Sequence, residues 1–263
     1  MSQTDKMLSR KEGGVGYVIF NNPERHNAVS LDMWEAAKRI LDDFATDDAV
    51  RVVVLTGAGG KAFVSGADIS KFENERATVE AQRAYNAQTD ATYTGIAEFP
   101  KPTIAMIRGY CIGGGLGLAT CCDLRICTDN SRFAVPAAKL GIGYGYNGLK
   151  RLVDIVGPAF AKEIFYTARQ FDAPEAAAMG LVNRVAPQAG LETYVKNITD
   201  MICANAPLTI KAVKVTVGEV LRADSERDVA RAAALVEACF ASRDYTEGRT
   251  AFMEKRAPVF TGT

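Results

Sequence analysis

The stretch Arg108-Gly-Tyr-Cys-Ile-Gly-Gly-Gly-Leu-Gly117 decides the fold of this chain. It follows an apolar, strand-like run at residues 102–107 and ends where a helix can begin. A second stretch, Lys61-Ala-Phe-Val-Ser-Gly-Ala-Asp68, follows another strand-like run at residues 50–55. Residues without bulky side chains at such junctions leave backbone N–H groups accessible to a ligand. Two such donors brought together would form an oxyanion hole, which stabilises negative charge on a carbonyl oxygen.

The hydrophobic pattern around these stretches predicts alternating strands and helices. Strands are predicted at 16–20, 50–55, 102–107 and 124–127, and Ser30 is predicted to cap the first helix. A helix is predicted at 76–97 and another from the triple glycine through Cys122. From about residue 148 helical patterns dominate, and the last seventy residues contain no convincing strand. The pattern predicts an α/β fold with parallel strands covered by helices.

Charge and hydropathy exclude several classes of protein. Among the 263 residues, Lys plus Arg and Asp plus Glu both number 31, so no basic field favours nucleic acid. No apolar run approaches the roughly 20 residues that a membrane helix needs. The N-terminal residues lack the apolar core of a signal peptide. We therefore expect a cytoplasmic protein that binds neither membranes nor nucleic acid.

The six cysteines are predicted to be buried free thiols. No two of them are spaced as a CxxC pair, and a chain with one histidine cannot build a His-rich metal site. Cys121 and Cys122 are adjacent in an apolar stretch. We therefore expect neither a metal site nor disulfides.

The two glycine-containing stretches resemble the signatures of the crotonase (enoyl-CoA hydratase/isomerase) superfamily, whose members form thioester enolates. The resemblance implies a spiral of ββα units, followed by a helical C-terminal region that usually builds a homotrimer, often paired into a hexamer. We assign residues 1–195 to the core domain with the acyl-CoA site and residues 196–263 to the helical region. The resemblance also implies that the N–H groups of Ala67 and Gly114 form the oxyanion hole. The dipole of the helix that begins at Gly114 would add positive charge there.

The same resemblance implies a coenzyme A site assembled from three parts of the chain. The segment 22–28 resembles one that lies against coenzyme A, the first signature contributes further contacts, and the C-terminus packs the adenine end, often from a neighbouring subunit. The implied contact residues are Arg25, His26, Lys61, Ala62, Ser65, Phe252 and Lys255. Because coenzyme A is part of the substrate, no separate cofactor is expected. The glycines at 113–117 do not form a dinucleotide-binding GxGxxG, since its last position would be Leu118.

The chain departs from the hydratase pattern at the residues that would do hydratase chemistry. Hydratases of the family use two glutamates as acid and base, and Gly117 and Ala137 stand at those positions. General acid–base help is worth about 10²–10⁴-fold per group, so a hydratase without both should be severely impaired. Asp68 and Asp123, the nearest acids, are expected to cap or bound neighbouring elements.

Tyr144 provides an alternative chemistry. The segment Lys139-Leu-Gly-Ile-Gly-Tyr-Gly-Tyr-Asn-Gly148 resembles the malonyl-type CoA decarboxylases of the family, which carry a tyrosine two residues after the equivalent of Ile142. Decarboxylation needs no base to begin, and glutamates would repel an anionic substrate. Tyr144, or its neighbour Tyr146, could orient the leaving carboxylate by its hydroxyl, or these tyrosines could pack the pocket wall.

The sequence therefore favours a lyase that acts on an acyl-CoA thioester, with decarboxylation first. Two alternatives stay open: an enoyl-CoA hydratase with displaced acid and base groups, for which Glu73 and Glu75 are the carboxylates to check, and a non-catalytic acyl-CoA binding protein. A serine hydrolase is poorly supported because there is no GxSxG motif and His26 is the sole histidine.

Overall fold

The main sheet confirms the predicted strands and adds two. The computed structural model describes residues 4–71 and 77–263. Six strands form the sheet in the order β1-β2-β3-β5-β7-β10. Their bounds are β1 Met7–Glu12, β2 Val15–Phe20, β3 Val52–Gly57, β5 Thr103–Ile107, β7 Leu124–Thr128 and β10 Arg184–Ala186. All neighbours pair in parallel except β1 and β2, which form an antiparallel hairpin.

A second, smaller sheet holds both glycine-containing stretches. Its order is β4-β6-β8-β9, and its strands are β4 Ala62–Val64, β6 Tyr110–Ile112, β8 Arg132–Ala134 and β9 Phe171–Asp172. The strands β4 and β6 run in parallel, with Ala62 opposite Tyr110 and Val64 opposite Cys111. Because parallel strands end at the same edge, the loops that follow β4 and β6 lie beside each other.

Helices cover the sheets and make up the C-terminal part. Those in the described ranges are α1 Leu31–Thr46, α2 Val79–Ala97, α3 Gly114–Cys121, α4 Tyr146–Thr167, α5 Ala173–Ala178, α6 Leu191–Ala204, α7 Pro207–Val220, α8 Val229–Ala241 and α9 Arg243–Glu254. A glycine and a proline interrupt these helices: Gly157 has a φ of 75° inside α4, and Pro207 begins α7. Ser30 precedes α1, but its hydroxyl donates to Asp32 instead of capping the backbone.

The core lies on both faces of the main sheet. On one face, Phe20, Trp34 and Phe63 are almost completely buried between the two sheets and the helices. On the other face, α6 packs against Val52, Val54 and Ile104. The domain boundary predicted at residue 195 falls inside α6, and that division stays a prediction.

The structure also bears on the expectations for the cysteines, for a metal site and for membrane-spanning helices. All six cysteines are free; Cys111, Cys121, Cys122 and Cys127 are buried, whereas Cys203 and Cys239 are only partly buried. In the described ranges, no group of three or more His, Cys, Asp or Glu side chains could hold a metal ion. None of the helices described in the structure combines the length and hydropathy that crossing a bilayer requires.

Candidate active site

The two predicted donor residues, Ala67 and Gly114, lie side by side after β4 and β6. A Cβ at Gly114 would lie 3.9 Å from the nitrogen of Ala67, and a Cβ at Gly66 would lie 3.8 Å from the nitrogen of Gly114. Gly66 and Gly113 have φ angles of 111° and 55°, which glycine adopts without strain. Both loops therefore fold tightly enough to bring the two amides into one small region.

The fold leaves the N–H groups of Ala67 and Gly114 without a hydrogen-bond acceptor among the described residues. Around Ala67, the hydrogen bonds run from Val29 N–H to the Gly66 carbonyl and from Asp68 N–H to the Val29 carbonyl. Gly114 is the first residue of α3, where an N–H has no partner within the helix. In the part of the chain that the structure describes, no acceptor takes a hydrogen bond from either N–H. Both donors are therefore available to a bound ligand.

Two glycines allow the loops to approach this closely. A Cβ at Gly109 would collide with the carbonyl of Lys61, and a Cβ at Gly115 would collide with the carbonyl of Val64. Gly109 also has a φ of 66°. Close packing at these two glycines therefore juxtaposes the two amides.

Gly117, the position of the first hydratase glutamate, faces a tyrosine. A Cβ there would lie 3.1 Å from Tyr93 Oη. The Tyr93 hydroxyl donates to the Gly114 carbonyl at 2.7 Å, and its ring meets that of Trp34 edge-on at 5.4 Å. Tyr93 is 8% exposed, and burial raises the pKa of its phenol well above the usual range. A neutral, tethered phenol therefore fills the space beside residue 117.

Ala137, the position of the second glutamate, is a core residue. It is 6% exposed, and its carbonyl accepts hydrogen bonds from the N–H groups of Gly141 and Ile142. Its neighbour Pro136 lies 3.9 Å from the Cβ that Gly113 would carry, so this turn borders the second loop. Neither glutamate position therefore supplies a titratable group to the site.

Tyr144 and Tyr146 are placed differently. Tyr146 is 77% exposed, whereas Tyr144 is half-buried, packs on the main core and meets the Phe165 ring at 4.8 Å. Burial, reinforced by Cys121, raises the pKa of Tyr144 to about 12 against the opposing charge of Arg151. The Tyr144 phenol therefore keeps its proton at neutral pH, and no described residue accepts a hydrogen bond from its hydroxyl. Of the two candidates, Tyr144 is the one that faces the interior.

Arg151, like Tyr93, is a residue of this region that the sequence did not single out. It belongs to α4, its guanidinium carbon lies 5.9 Å from the Tyr93 ring centroid, and its Nε is buried without an acceptor. Nothing in the sequence distinguishes it from Lys150 beside it, because a cation on an amphipathic helix usually faces solvent. Only the three-dimensional packing reveals its position.

Comparison with known proteins identifies the family. The family model described as enoyl-CoA hydratase/isomerase matches residues 10–263. This chain belongs to that family. It is 35% identical to a short-chain-enoyl-CoA hydratase of Clostridium acetobutylicum over 254 residues, covering 97% of each chain. It is also 36% identical to a crotonyl-CoA hydratase of Syntrophomonas wolfei over 256 residues, covering 97% of this chain and 98% of the relative.

A solved structure supports the same assignment. The crystal structure of an enoyl-CoA hydratase/carnithine racemase from Magnetospirillum magneticum matches with a TM-score of 0.92 at 36% identity, covering 99% of this chain and 97% of that one. The predicted crotonase superfamily and its α/β fold are therefore confirmed, and the chain is a member of an enzyme family that acts on acyl-CoA. The relatives are named as hydratases, not decarboxylases.

In this enoyl-CoA hydratase/isomerase family member, two of the predicted coenzyme A residues adjoin the first donor loop. Arg25 donates to Ser70 Oγ at 2.8 Å and lies 3.5 Å from Asp68 Oδ1. The backbone of Ser65 donates to the His26 carbonyl, and its hydroxyl donates to the Arg25 carbonyl. The early segment and the first signature therefore form one surface beside Ala67.

His26 and Lys61 border a cavity of about 350 Å³ that also includes Tyr110 and Arg132. The His26 and Tyr110 rings meet edge-on at 5.8 Å. Two cations and an imidazole give this cavity the character that phosphates require. Ala62 is buried in β4 behind it, so its side chain does not reach the surface.

Phe252 and Lys255 are not brought to this surface within one chain. Phe252 is 79% exposed at the end of α9 and lines a different cavity, between the C-terminal helices. Lys255, which follows α9, has a φ of 56° and ends the helix. Their predicted contact with coenzyme A stays a prediction that requires a neighbouring subunit.

The nearby acids have structural roles, as expected. Asp68 Oδ1 accepts from the N–H and the hydroxyl of Ser70, which lies in the short helical turn Ile69–Lys71. Asp123 accepts from Thr103 N–H at 2.7 Å and from Lys214 at 2.8 Å, which ties α7 to the main sheet. Glu73 and Glu75 lie outside the described residues.

Proposed function

We propose that this chain binds an acyl-CoA thioester and stabilises its enolate through the N–H groups of Ala67 and Gly114, and that its reaction is decarboxylation of a malonyl-type CoA. The supporting observation is that two adjacent backbone N–H groups have no acceptor among the described residues, in a region where Gly117 and Ala137 supply no carboxylate. Each such donor contributes about 10²–10³-fold in kcat, because it is aimed where negative charge develops.

The proposed reaction begins with heterolysis of a carbon–carbon bond. The bond between the α-carbon and the carboxylate breaks, CO₂ leaves, and the electron pair moves into the thioester, whose oxygen becomes an enolate oxygen. Ala67 and Gly114 donate to that oxygen, and a proton from water then restores the α-carbon. Tyr144 donates its phenolic hydrogen bond to the carboxylate before it leaves. No step requires a separate cofactor.

Hydration fits this geometry less well. Adding water to a double bond needs a base and an acid at defined positions, and general catalysis of that kind is worth about 10²–10⁴-fold. Tyr93 occupies the space where a side chain at residue 117 would begin. The names of the relatives nevertheless make hydration the second candidate, with acid and base groups from elsewhere in the chain.

Three assays on the full chain test the proposal. We expect CO₂ release from methylmalonyl-CoA or ethylmalonyl-CoA, reduced about tenfold or more in Tyr144→Phe, which removes one hydrogen bond. Tyr146→Phe is the matched control, because Tyr146 is exposed. Hydration of crotonyl-CoA at a rate typical of a competent hydratase, or acyl-CoA binding without turnover of any thioester, would contradict decarboxylation.

We further propose that the chain assembles as a homotrimer or a dimer of trimers through its C-terminal region. The helices α7, α8 and α9 line an apolar cavity of about 1070 Å³, and Val217, Phe240 and Met253 are exposed there. Exposed apolar patches of this kind mark association sites. Sedimentation of the purified chain should give a trimer or hexamer, and Phe240→Asp should give smaller species, whereas Tyr166→Asp, at an exposed site outside the cavity, should not.

A further inference from the structure

Arg151 lies near the proposed enolate site and has no counter-ion among the described residues. Its Nε is buried and has no hydrogen-bond partner. Among the described residues it makes no ion pair, whereas Lys150 pairs with Asp154 at 2.7 Å and Arg169 pairs with Glu163 at 3.0 Å. Lys162, on the same helix, also lacks an ion pair among the described residues, but it is exposed to solvent. Arg151 therefore combines a missing ion pair with a buried N–H that has no acceptor, unlike the exposed Lys162.

Arg151 lies along the same wall as Tyr144. The Tyr144 ring is 3.2 Å from the Cβ that Gly148 would carry, and residues three apart on a helix share a face. The guanidinium carbon of Arg151 is also 5.9 Å from the centroid of the Tyr93 ring, and the Tyr93 hydroxyl donates a hydrogen bond to the Gly114 carbonyl. One continuous set of contacts thus connects Arg151 to the second donor loop.

Four hydrogen-bond donors of this region have no protein acceptor among the described residues. They are the N–H groups of Ala67 and Gly114, the Tyr144 hydroxyl and the guanidinium of Arg151. Arginine stays charged in proteins, and leaving a buried guanidinium N–H without an acceptor carries a desolvation cost. A ligand that brings negative charge would offset that cost, and the planar guanidinium matches a carboxylate in shape.

We infer that Arg151 binds a carboxylate on the acyl chain of the substrate, so that carboxylated acyl-CoA thioesters are the preferred substrate class. The inference rests on the proposed function for the position of the thioester. If the bound carboxylate is the one that leaves as CO₂, its charge departs in the transition state. The ion pair then strengthens substrate binding more than it lowers the barrier, so Arg151 is a specificity residue whose loss raises KM more than it lowers kcat.

Two pairs of thioesters test the inference, each differing by a carboxylate in place of a methyl group. Methylmalonyl-CoA against isobutyryl-CoA probes a carboxylate on the α-carbon, and succinyl-CoA against butyryl-CoA probes one at the chain end. Affinities are measured by titration calorimetry, or as KM where CO₂ is released. We expect the wild type to bind the carboxylated member of at least one pair more than about tenfold tighter, as a charged hydrogen bond provides. The pair that shows the preference identifies the position of the carboxylate.

Substitutions assign the preference to Arg151. Arg151→Gln should reduce the affinity ratio of the carboxylated to the uncharged thioester to about one, without weakening binding of the uncharged thioester. Arg151→Lys should keep part of this preference, and it replaces the glutamine variant as the test if that variant is unstable. Lys150→Gln removes a charge from the adjacent position and should leave both ratios unchanged. An unchanged ratio in Arg151→Gln, or no carboxylate preference in the wild type, overturns the inference. Preference without CO₂ release keeps the inference and rejects decarboxylation, whereas CO₂ release with a normal KM in Arg151→Gln does the reverse.

Discussion

At the scale of single residues, Gly117 and Tyr93 act as a pair. Alanine at 117 would place its Cβ 3.1 Å from Tyr93 Oη, closer than ordinary contacts, and the hydrogen bond of Tyr93 to Gly114 resists displacement. Overpacking of this kind costs about 1–3 kcal/mol, which exceeds the gain of about 1 kcal/mol from replacing a helical glycine by alanine. We therefore expect Gly117→Ala to lower the free energy of unfolding.

A double-mutant cycle separates the two effects. In a Tyr93→Phe background the nearest atom is gone, and the ring, whose carbons lie 3.3 Å from the Cβ, is no longer held by the hydrogen bond to Gly114. Gly117→Ala should therefore cost less or become neutral, with a coupling of about 1 kcal/mol in urea unfolding. Equal effects of Gly117→Ala in both backgrounds would show that the Tyr93 hydroxyl does not restrict residue 117.

Tyr93 and Arg151 also show why part of the site could not be predicted from the sequence. Ala67 and Gly114 stand in glycine-containing stretches with a recognisable pattern, so the sequence marks them. Tyr93 and Arg151 lie on long helices, 21 residues from Gly114 in the first case, and their neighbours in space are distant in the chain. That Arg151 has no counter-ion among the described residues follows from three-dimensional packing, which cannot be inferred from the hydrophobic periodicity of the sequence.

At the scale of elements, length and burial determine which strands the sequence reveals. The strands β3 and β5 are buried along most or all of their length, so their apolar runs are unmistakable. In β1 only Met7 is buried, and β4, β6 and β8 have three residues each, too few to establish a period of two. The small sheet that positions both donor loops is thus the part of the fold that the sequence pattern conceals.

Gly109 tests whether the juxtaposition of β4 and β6 creates the site. Alanine there would collide with the Lys61 carbonyl and would have to adopt a φ of 66°. Because the colliding atoms belong to the backbone, the strands must separate. We therefore expect Gly109→Ala to lower the free energy of unfolding by about 2–4 kcal/mol and to abolish acyl-CoA binding. Gly143→Ala is the control, since its Cβ would meet nothing within 4 Å. Thermal unfolding and calorimetric binding measure both, and normal acyl-CoA binding by a folded Gly109→Ala variant would contradict this role.

At the scale of the whole molecule, buried thiols and a buried phenol that keep their protons make the stability of the fold sensitive to high pH. Burial raises the pKa of Cys121 and Cys127 from 9.0 to about 12, and that of Tyr144 from 10.0 to about 12. In each case the pKa of the folded state exceeds that of the unfolded state. The unfolded chain therefore releases these protons first, and the stabilisation, complete below pH 9, is lost as pH rises toward 12.

The slope gives the prediction its magnitude. Between its unfolded and folded pKa values, each group lowers the free energy of unfolding by about 1.4 kcal/mol per pH unit. We expect urea unfolding to show stability independent of these groups from pH 7 to 8 and a steep decline above pH 9. Cys127→Ala and Tyr144→Phe should each make the decline shallower, the cysteine variant from pH 9 and the tyrosine variant from pH 10. A stability that stays constant from pH 8 to 11 would mean that these groups ionise equally in both states, because water reaches them in the native fold.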